Sequence, residues 1–159
     1  MVRKNQFIRV QKGSVLSSFQ ILAETHLVPG TLMRNRDLKF ICKDVYLKVA
    51  NNDSAFTSEY DSEQVIKIPV AHHDGNFFIE ESELKELEDS GQVAFRYCDS
   101  EGAINDNVNP NGSLNNIAGV FNSKKNVLGM MPHPERVWEK TLGGEDGKKL
   151  FESLLKSFG

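Results

Sequence analysis

The sequence predicts an α/β fold, a mostly parallel sheet flanked by helices. Three observations carry that reading. Apolar runs with the two-residue period of strands alternate with stretches of helical spacing along the 159 residues. One such run, residues 127–131, empties straight into a loop of reactive residue types, the place where α/β folds gather their chemistry. The chain then closes on an amphipathic stretch suited to covering a sheet, with Leu150, Phe151, Leu154, Leu155 and Phe158 on one stripe.

Each element can be justified in turn. Ser14, Val15 and Leu16 end a short buried strand, and residues 19–26 have helical spacing that stops before Pro29 and Gly30. Between residues 37 and 49 the apolar positions Leu38, Phe40 and Cys42 shift register at Val45, Leu47 and Val49, which fits two half-buried strand pieces or one bent strand. Asn51, Asn52, Asp53 and Ser54 break it. Residues 65–71 form the next strand, leading into the loop His72-His73-Asp74-Gly75-Asn76. Residues 81–88 make a short surface helix with acids at its start, Leu84 and Leu87 on one side, and Gly91 as its stop. Residues 92–98 are β-rich, and the polar run 105–113 is a long loop of turn formers, a length that tends to be functional in compact domains. Residues 117–121 and 126–131 are strands joined by a turn over 122–125, and the last helix begins near Asp146.

Composition narrows the class. A chain 39% hydrophobic and 159 residues long buries one sizeable core as a single domain. No apolar run is long enough for a bilayer and residues 1–12 carry no apolar h-region, so a cytoplasmic protein is expected. Cys42 and Cys98 have neither metal-knuckle nor disulfide-framework spacing and read as reduced structural thiols. The net charge of -3 is uneven: Arg3, Lys4, Arg9 and Lys12 give residues 1–18 a charge of +4 with no acid, so the remainder carries -7. An acidic body argues against nucleic acid as a partner, and the basic opening lacks the density of a polybasic patch.

The most informative stretch is Pro132-His133-Pro134-Glu135-Arg136. Flanking prolines restrict the backbone around an imidazole, and a carboxylate two residues on can reach one ring nitrogen. Base and orienter are two parts of a relay whose third is a thiol or hydroxyl nucleophile. His72, His73 and Asp74 could suggest a metal-dependent hydrolase, but consecutive strand residues face opposite sides and multi-ligand spacing is absent, so no metal is expected. His26 reads as a favourable cation ending a helix, Trp138 as a packing aromatic, and Met130 and Met131 as core filler. Asn105, Asn107 and Asn109 fit turn formation as well as they fit contact with a substrate or partner.

The Pro-His-Pro-Glu-Arg motif, Asn109-Pro110-Asn111-Gly112-Ser113 ahead of Ile117-Ala118-Gly119, and Phe19-Gln20-Ile21-Leu22 ahead of Leu27-Val28-Pro29-Gly30 and Arg34-Asn35 occur together. In that combination the chain resembles the class I glutamine amidotransferases, and within them the family of glutaminase subunits of phosphoribosylformylglycinamidine synthase, an enzyme of purine biosynthesis. The resemblance runs from about Phe19 to the C-terminus. It implies a flavodoxin-like sheet and a cysteine, histidine and glutamate that hydrolyse the side-chain amide of glutamine. Ammonia would pass to a large synthetase subunit that uses ATP and magnesium, assembled with a small accessory subunit. No cofactor is implied in this chain itself. His133 and Glu135 match the family's base and its orienter; Gln20 matches the last residue of a Gly-x-Cys-x-Gly-x-Gln elbow that holds substrate. His72 and Gly75 match a His-Gly-Glu-Gly loop, read here as His-His-Asp-Gly, and with Asn109 and Asn111 they mark a possible site or partner loop.

The elbow is where the sequence departs. Counting back from Gln20 without gaps puts Leu16 at the cysteine and Ser18 at the second glycine, so no thiol stands at the turn whose backbone N–H helps bind an oxyanion. Ser17 or Ser18 would be weak replacements. The reading is therefore a divergent basic segment over 1–18 and the C-terminal part of an amidotransferase domain over 19–159, with the early strands missing. Such a chain is expected to need a partner or to aggregate, and to be impaired in glutamine hydrolysis while still able to dock on the synthetase.

Overall fold

The computed structural model describes residues 8–10 and 14–158, with side chains from residue 19 onward. Arg3, Lys4 and Lys12 of the basic segment lie outside the described residues.

Among the described residues strand periodicity produces nine strands: β1 (Ile8–Val10), β2 (Ser14–Ser18), β3 (Thr31–Met33), β4 (Ile41–Val49), β5 (Val65–His72), β6 (Asn76–Phe78), β7 (Val93–Cys98), β8 (Ile117–Phe121) and β9 (Val127–Met130). Three α-helices accompany them among the described residues, α1 (Phe19–Glu24), α2 (Glu81–Asp89) and α3 (Lys148–Phe158). Seven strands form one sheet in the order β1-β2-β9-β8-β7-β4-β5, and β3 pairs with β6 in a separate two-stranded sheet that the sequence reading did not anticipate.

The sheet is not mostly parallel. Among the described strands only β2 and β9 run parallel; β9-β8-β7-β4-β5 is a continuous antiparallel run of five strands. The reason lies in the connections. A parallel neighbour needs a crossover of about a dozen residues or more, usually helical. Here β8 turns into β9 over residues 122–126, where Asn122 Oδ1 accepts the N–H groups of Asn126 and Val127 at 3.0 Å each. The longer connection from β4 to β5 holds no helix and closes on itself, with Val49 N–H donating to Gln64 O at 2.9 Å and Glu63 N–H to Val49 O at 3.1 Å. Burial alternates along β5 and the second half of β4, as expected for antiparallel strands wetted on one face, whereas β8 and β9 are buried throughout.

Two apolar layers cover the sheet. On one face Leu47, Phe56, Ile68, Phe95 and Phe121 pack with Leu150 and Leu154 of α3. On the other, Phe19 and Leu22 of α1 and Leu87 of α2 pack with Phe77, Ile117 and Val127. Gly129 lets α1 approach β9: a methyl there would lie 2.6 Å from the Phe19 ring, which stacks on Phe77 at 5.7 Å. Three details differ from expectation. Leu155 is exposed rather than part of the α3 stripe, Trp138 is half-exposed rather than packed, and His26 lies past α1 at a positive φ of 55°. Among the described residues no helix is long and apolar enough to cross a membrane.

Candidate active site

The pairings set β2, β9, β7 and β5 in one direction, with β8 and β4 reversed. The carboxyl ends of β2, β9 and β5 therefore share an edge of the sheet. Residues 16–18 pair with Leu128, Gly129 and Met130, His133 follows β9 by three residues, and His72 ends β5.

Backbone bonds stitch the motif loop to its neighbours. Met131 N–H donates to Ala118 O at 3.1 Å, and His133 N–H donates to Pro69 O of β5 at 2.8 Å. Pro134 opens a single 3-10 turn over Pro134–Arg136, where its fixed φ suits the first position. The segment 144–147 braces that turn: Gly147 N–H donates to Val137 O at 2.9 Å, and a methyl at 147 would sit 2.8 Å from the Pro134 carbonyl carbon. Within the loop His133 Nδ1–H donates to Glu135 Oε1 at 2.8 Å. Burial alone would push the Glu135 carboxyl up, but the hydrogen bond and charge of His133, its own backbone N–H and Arg136 outweigh that and hold it below the usual carboxylate range. The carboxylate thus stays charged and fixes the ring, while among the described residues no hydrogen bond engages Nε2. That is the geometry of an imidazole oriented through one nitrogen and available as a proton acceptor through the other.

Behind it lies a buried amide network centred on Asn35, which is 1% exposed. Its Nδ2 donates to Lys39 O at 2.7 Å and His72 O at 3.0 Å, so its Oδ1 must accept, and it does so from Gly75 N–H and His72 Nδ1–H at 3.0 Å each. His72 Nε2 then faces Asn111 Nδ2 at 3.5 Å. Asn111, fully buried, also donates to Gly75 O at 2.7 Å and lies 3.1 Å from the Tyr97 hydroxyl. Asn109 Nδ2 donates to Ser113 O at 2.8 Å and Asn116 Oδ1 at 2.7 Å, pinning the long polar loop. Burial first, and then nearby His133, pull His72 down to about 4, so it stays neutral.

The sequence-derived candidates separate into two groups. His133 and Glu135 are brought together, partly open to solvent. His72, Gly75, Asn109 and Asn111 converge as a buried support for the adjoining loops. Gln20 lies on the first turn of α1, exposed, donating to Glu24 Oε1 at 3.1 Å. Leu16 has its backbone in β2 opposite Leu128, and its side chain lies outside the description. His73 sits 3.7 Å from Asp74 at the surface, and among the described residues no group of three or more His, Cys, Asp or Glu side chains could hold a metal. Cys98 is pushed up to about 11, by burial first and then by Asp99; Cys42 is exposed on β4. A cavity of about 380 Å³ adjoins the motif through Arg136 and Val137, with Asp44, Lys67 and Asp146 on its other walls and His133 not among its lining residues. Asn35 as a hub and the Tyr97 hydroxyl were missed, because an asparagine between two arginines and a tyrosine in a β-rich run carry no burial signal of their own.

Residues 14–149 match the model of the CobB/CobQ-like glutamine amidotransferase domain. The chain is 50% identical over 149 residues to phosphoribosylformylglycinamidine synthase subunit PurQ of Aquifex aeolicus, covering 91% of this chain and 66% of that protein. It is similar to a chain in the structure of PurLQS from Thermotoga maritima, with a TM-score of 0.75 at 42% identity, covering 89% of this chain and 58% of that one. The chain thus spans just under two thirds of the length of the curated relative and 58% of the solved chain.

Proposed function

The chain belongs to the CobB/CobQ-like glutamine amidotransferase family, and on that premise we propose that it serves as a glutaminase-type subunit of a phosphoribosylformylglycinamidine synthase whose own hydrolysis of glutamine is lost or severely impaired. The observation that carries the reading is the 2.8 Å bond between His133 and Glu135 beyond β9, the base and orienter of an amide-cleaving relay. In such a relay the imidazole takes the proton of a nucleophile as it attacks the glutamine side-chain carbonyl, then gives it to the departing nitrogen as ammonia leaves.

Impairment is supported by what stands at the nucleophile's place. Leu16 carries no ionisable atom, and the 159 residues hold two thiols. Cys98 is buried with its pKa raised, and Cys42 lies on β4, away from the β2 to α1 junction. The role left to the chain is docking, with the small accessory subunit, on the large synthetase subunit, which carries out the ATP- and magnesium-dependent step.

The test is a choice of nitrogen donor. The full chain is mixed with its cognate synthetase subunits and supplied with either glutamine or ammonium chloride. Co-purification of the chain with the synthetase is expected, with amidine product formed from ammonium and glutamine supporting less than about a hundredth of that rate, a gap of about 2.7 kcal/mol in barrier. Glutamine serving as well as ammonium would end the impairment reading; no co-purification at high concentration would end the subunit reading.

A further inference from the structure

Three places in the sequence put an aspartate or asparagine directly before glycine: Asp74-Gly75, Asn111-Gly112 and Asp146-Gly147. Such dipeptides carry a built-in reaction, because the glycine nitrogen can attack the side-chain carbonyl carbon of the residue before it and no glycine side chain obstructs the approach. The fold needs glycine at each place. A methyl would lie 2.8 Å from Cγ of the His72 ring at Gly75, 2.9 Å from Arg36 Cβ at Gly112, where φ is 92°, and 2.8 Å from the Pro134 carbonyl carbon at Gly147.

In each case the nitrogen that would attack is held. Gly75 N–H donates to Asn35 Oδ1 at 3.0 Å, Gly112 N–H to Asn109 Oδ1 at 2.8 Å and Gly147 N–H to Val137 O at 2.9 Å. Attack requires the N–H to give up its proton and the peptide plane to turn toward the side chain, so each of these bonds must open first. The side chains differ more. Asn111 is fully buried, its amide donating to Gly75 O and accepting the Ser113 hydroxyl at 2.7 Å each. Asp146 Oδ2 accepts the Lys67 N–H at 2.7 Å. Asp74 keeps looser company between β5 and β6, its side chain 41% exposed with Arg34 Nε at 3.9 Å and His73 Nδ1 at 3.7 Å.

We propose that Asp74-Gly75 is a site of spontaneous isoaspartate formation, restrained in the native chain by the hold of the Asn35 side chain on the Gly75 nitrogen. The reaction needs no partner chain and no reagent but water. The Gly75 nitrogen bonds to Asp74 Cγ and loses its proton, the protonated carboxyl loses a hydroxyl, and the two depart as water to leave a succinimide ring. A water molecule then opens the ring at either carbonyl, restoring aspartate or routing the main chain through the side-chain carbon as isoaspartate. Nothing is oxidised or reduced. The isoaspartate main chain is longer by one methylene, which displaces Gly75, whose carbonyl accepts Asn111 Nδ2 at 2.7 Å and the Ser113 hydroxyl at 3.2 Å. A surface event at residue 74 thereby loosens the buried support around His72.

The experiment incubates the full chain at mildly acidic pH in water enriched in heavy oxygen, which enters when the ring opens, and reads label and isoaspartate peptide by peptide by mass spectrometry. The urea-unfolded chain sets the unrestrained rate at each dipeptide. In the folded wild type Asp74 is expected to label at least about tenfold more slowly than in urea, yet to keep a larger fraction of its urea rate than Asn111 or Asp146. Asn35→Ala is expected to raise the Asp74 rate about fivefold or more, the effect of releasing one buried hydrogen bond, without a matching rise at Asp146. Asp74→Glu, which would have to close a larger ring, is expected to remove the label from that peptide. Amide exchange of the wild type gives a reading that needs no variant: the Gly75 N–H is expected to be protected, and free exchange there would overturn the proposal. So would Asp74 labelling in the folded chain at its urea rate, an Asn35→Ala rate no higher than that of the wild type, or one common rise at all three dipeptides, which would mark global unfolding. Absence of label at Asp74 in urea would overturn the site itself.

Discussion

Replacing Gly147 by alanine should loosen the motif loop from a position that touches neither His133 nor Glu135. Gly147 has no positive φ, so the change introduces no backbone strain by itself, and in open space it would be neutral or stabilise by about 0.4–1 kcal/mol through the unfolded chain. The space is not open. The new methyl would lie 2.8 Å from the Pro134 carbonyl carbon and 2.9 Å from its Cα, against ordinary carbon contacts of about 3.5–4 Å. These are backbone atoms of the turn that carries the pair, so relief of at least about 0.7 Å must come from moving that turn, and overpacking of this kind costs about 1–3 kcal/mol. For a chain of this size that corresponds to a Tm lower by about 3–9 °C. Gly144→Ala is the matched control, since its nearest neighbour is Val137 at 3.5 Å and it too lacks a positive φ. The assay is thermal unfolding of the two variants together with the nuclear magnetic resonance signals of the His133 ring. Gly147→Ala is expected to melt lower and shift the ring signals, and Gly144→Ala to do neither; if both melt with the wild type and the ring signals stay in place, the bracing argument is wrong.

Two further outcomes follow from the buried network. Because His72 in the folded chain is pulled down to about 4 from 6.5, the unfolded chain takes up its proton first as pH falls, so stability present above about pH 6.5 is lost between 6.5 and 4, by at most about 3 kcal/mol. Urea unfolding of wild type and His72→Gln across that range should show a steeper fall for the wild type, and parallel curves would contradict the assignment. Asn35→Ala removes a side chain that makes four hydrogen bonds and strands the His72 Nδ1–H and the Gly75 N–H, so a loss of about 3 kcal/mol in urea unfolding is expected; a loss under about 1 kcal/mol would show that water or a shifted loop replaces it.

Much of this architecture was legible in the residues. Strands at 65–72, 93–98, 117–121 and 127–130 and the helices at 81–89 and 148–158 follow from periodicity, and the pairing of His133 with Glu135 follows from spacing and flanking prolines. Sheet direction is not legible there, because alternating element types suggest crossover connections, whereas the short 122–126 turn and the closed 50–64 connection return each strand antiparallel to its neighbour. The alternating burial of β5, visible in Val65-Ile66-Lys67-Ile68, was the signal that spoke against a buried parallel strand. Asn109 and Asn111 can be read as turn formers or as contacts to a ligand; the structure gives both buried hydrogen-bonding work, Asn109 locally on Ser113 and Asn116, and Asn111 on His72 and Gly75, 39 and 36 positions away in sequence, a long-range pairing no local pattern encodes. Leu155 and Trp138 show the same limit from the other side, since periodicity marks a stripe but not where the neighbouring layer ends.

The central claim is that an oriented imidazole survives here with no nucleophile to serve. It is tested most directly by comparing wild type and His133→Ala for product formation from glutamine in the assembled synthetase. The account predicts equal rates, both at the background set by free ammonia, because an idle base can be removed without loss. A wild-type rate well above background that falls at least about a hundredfold in His133→Ala would contradict it, since that loss would mean the imidazole activates a nucleophile after all.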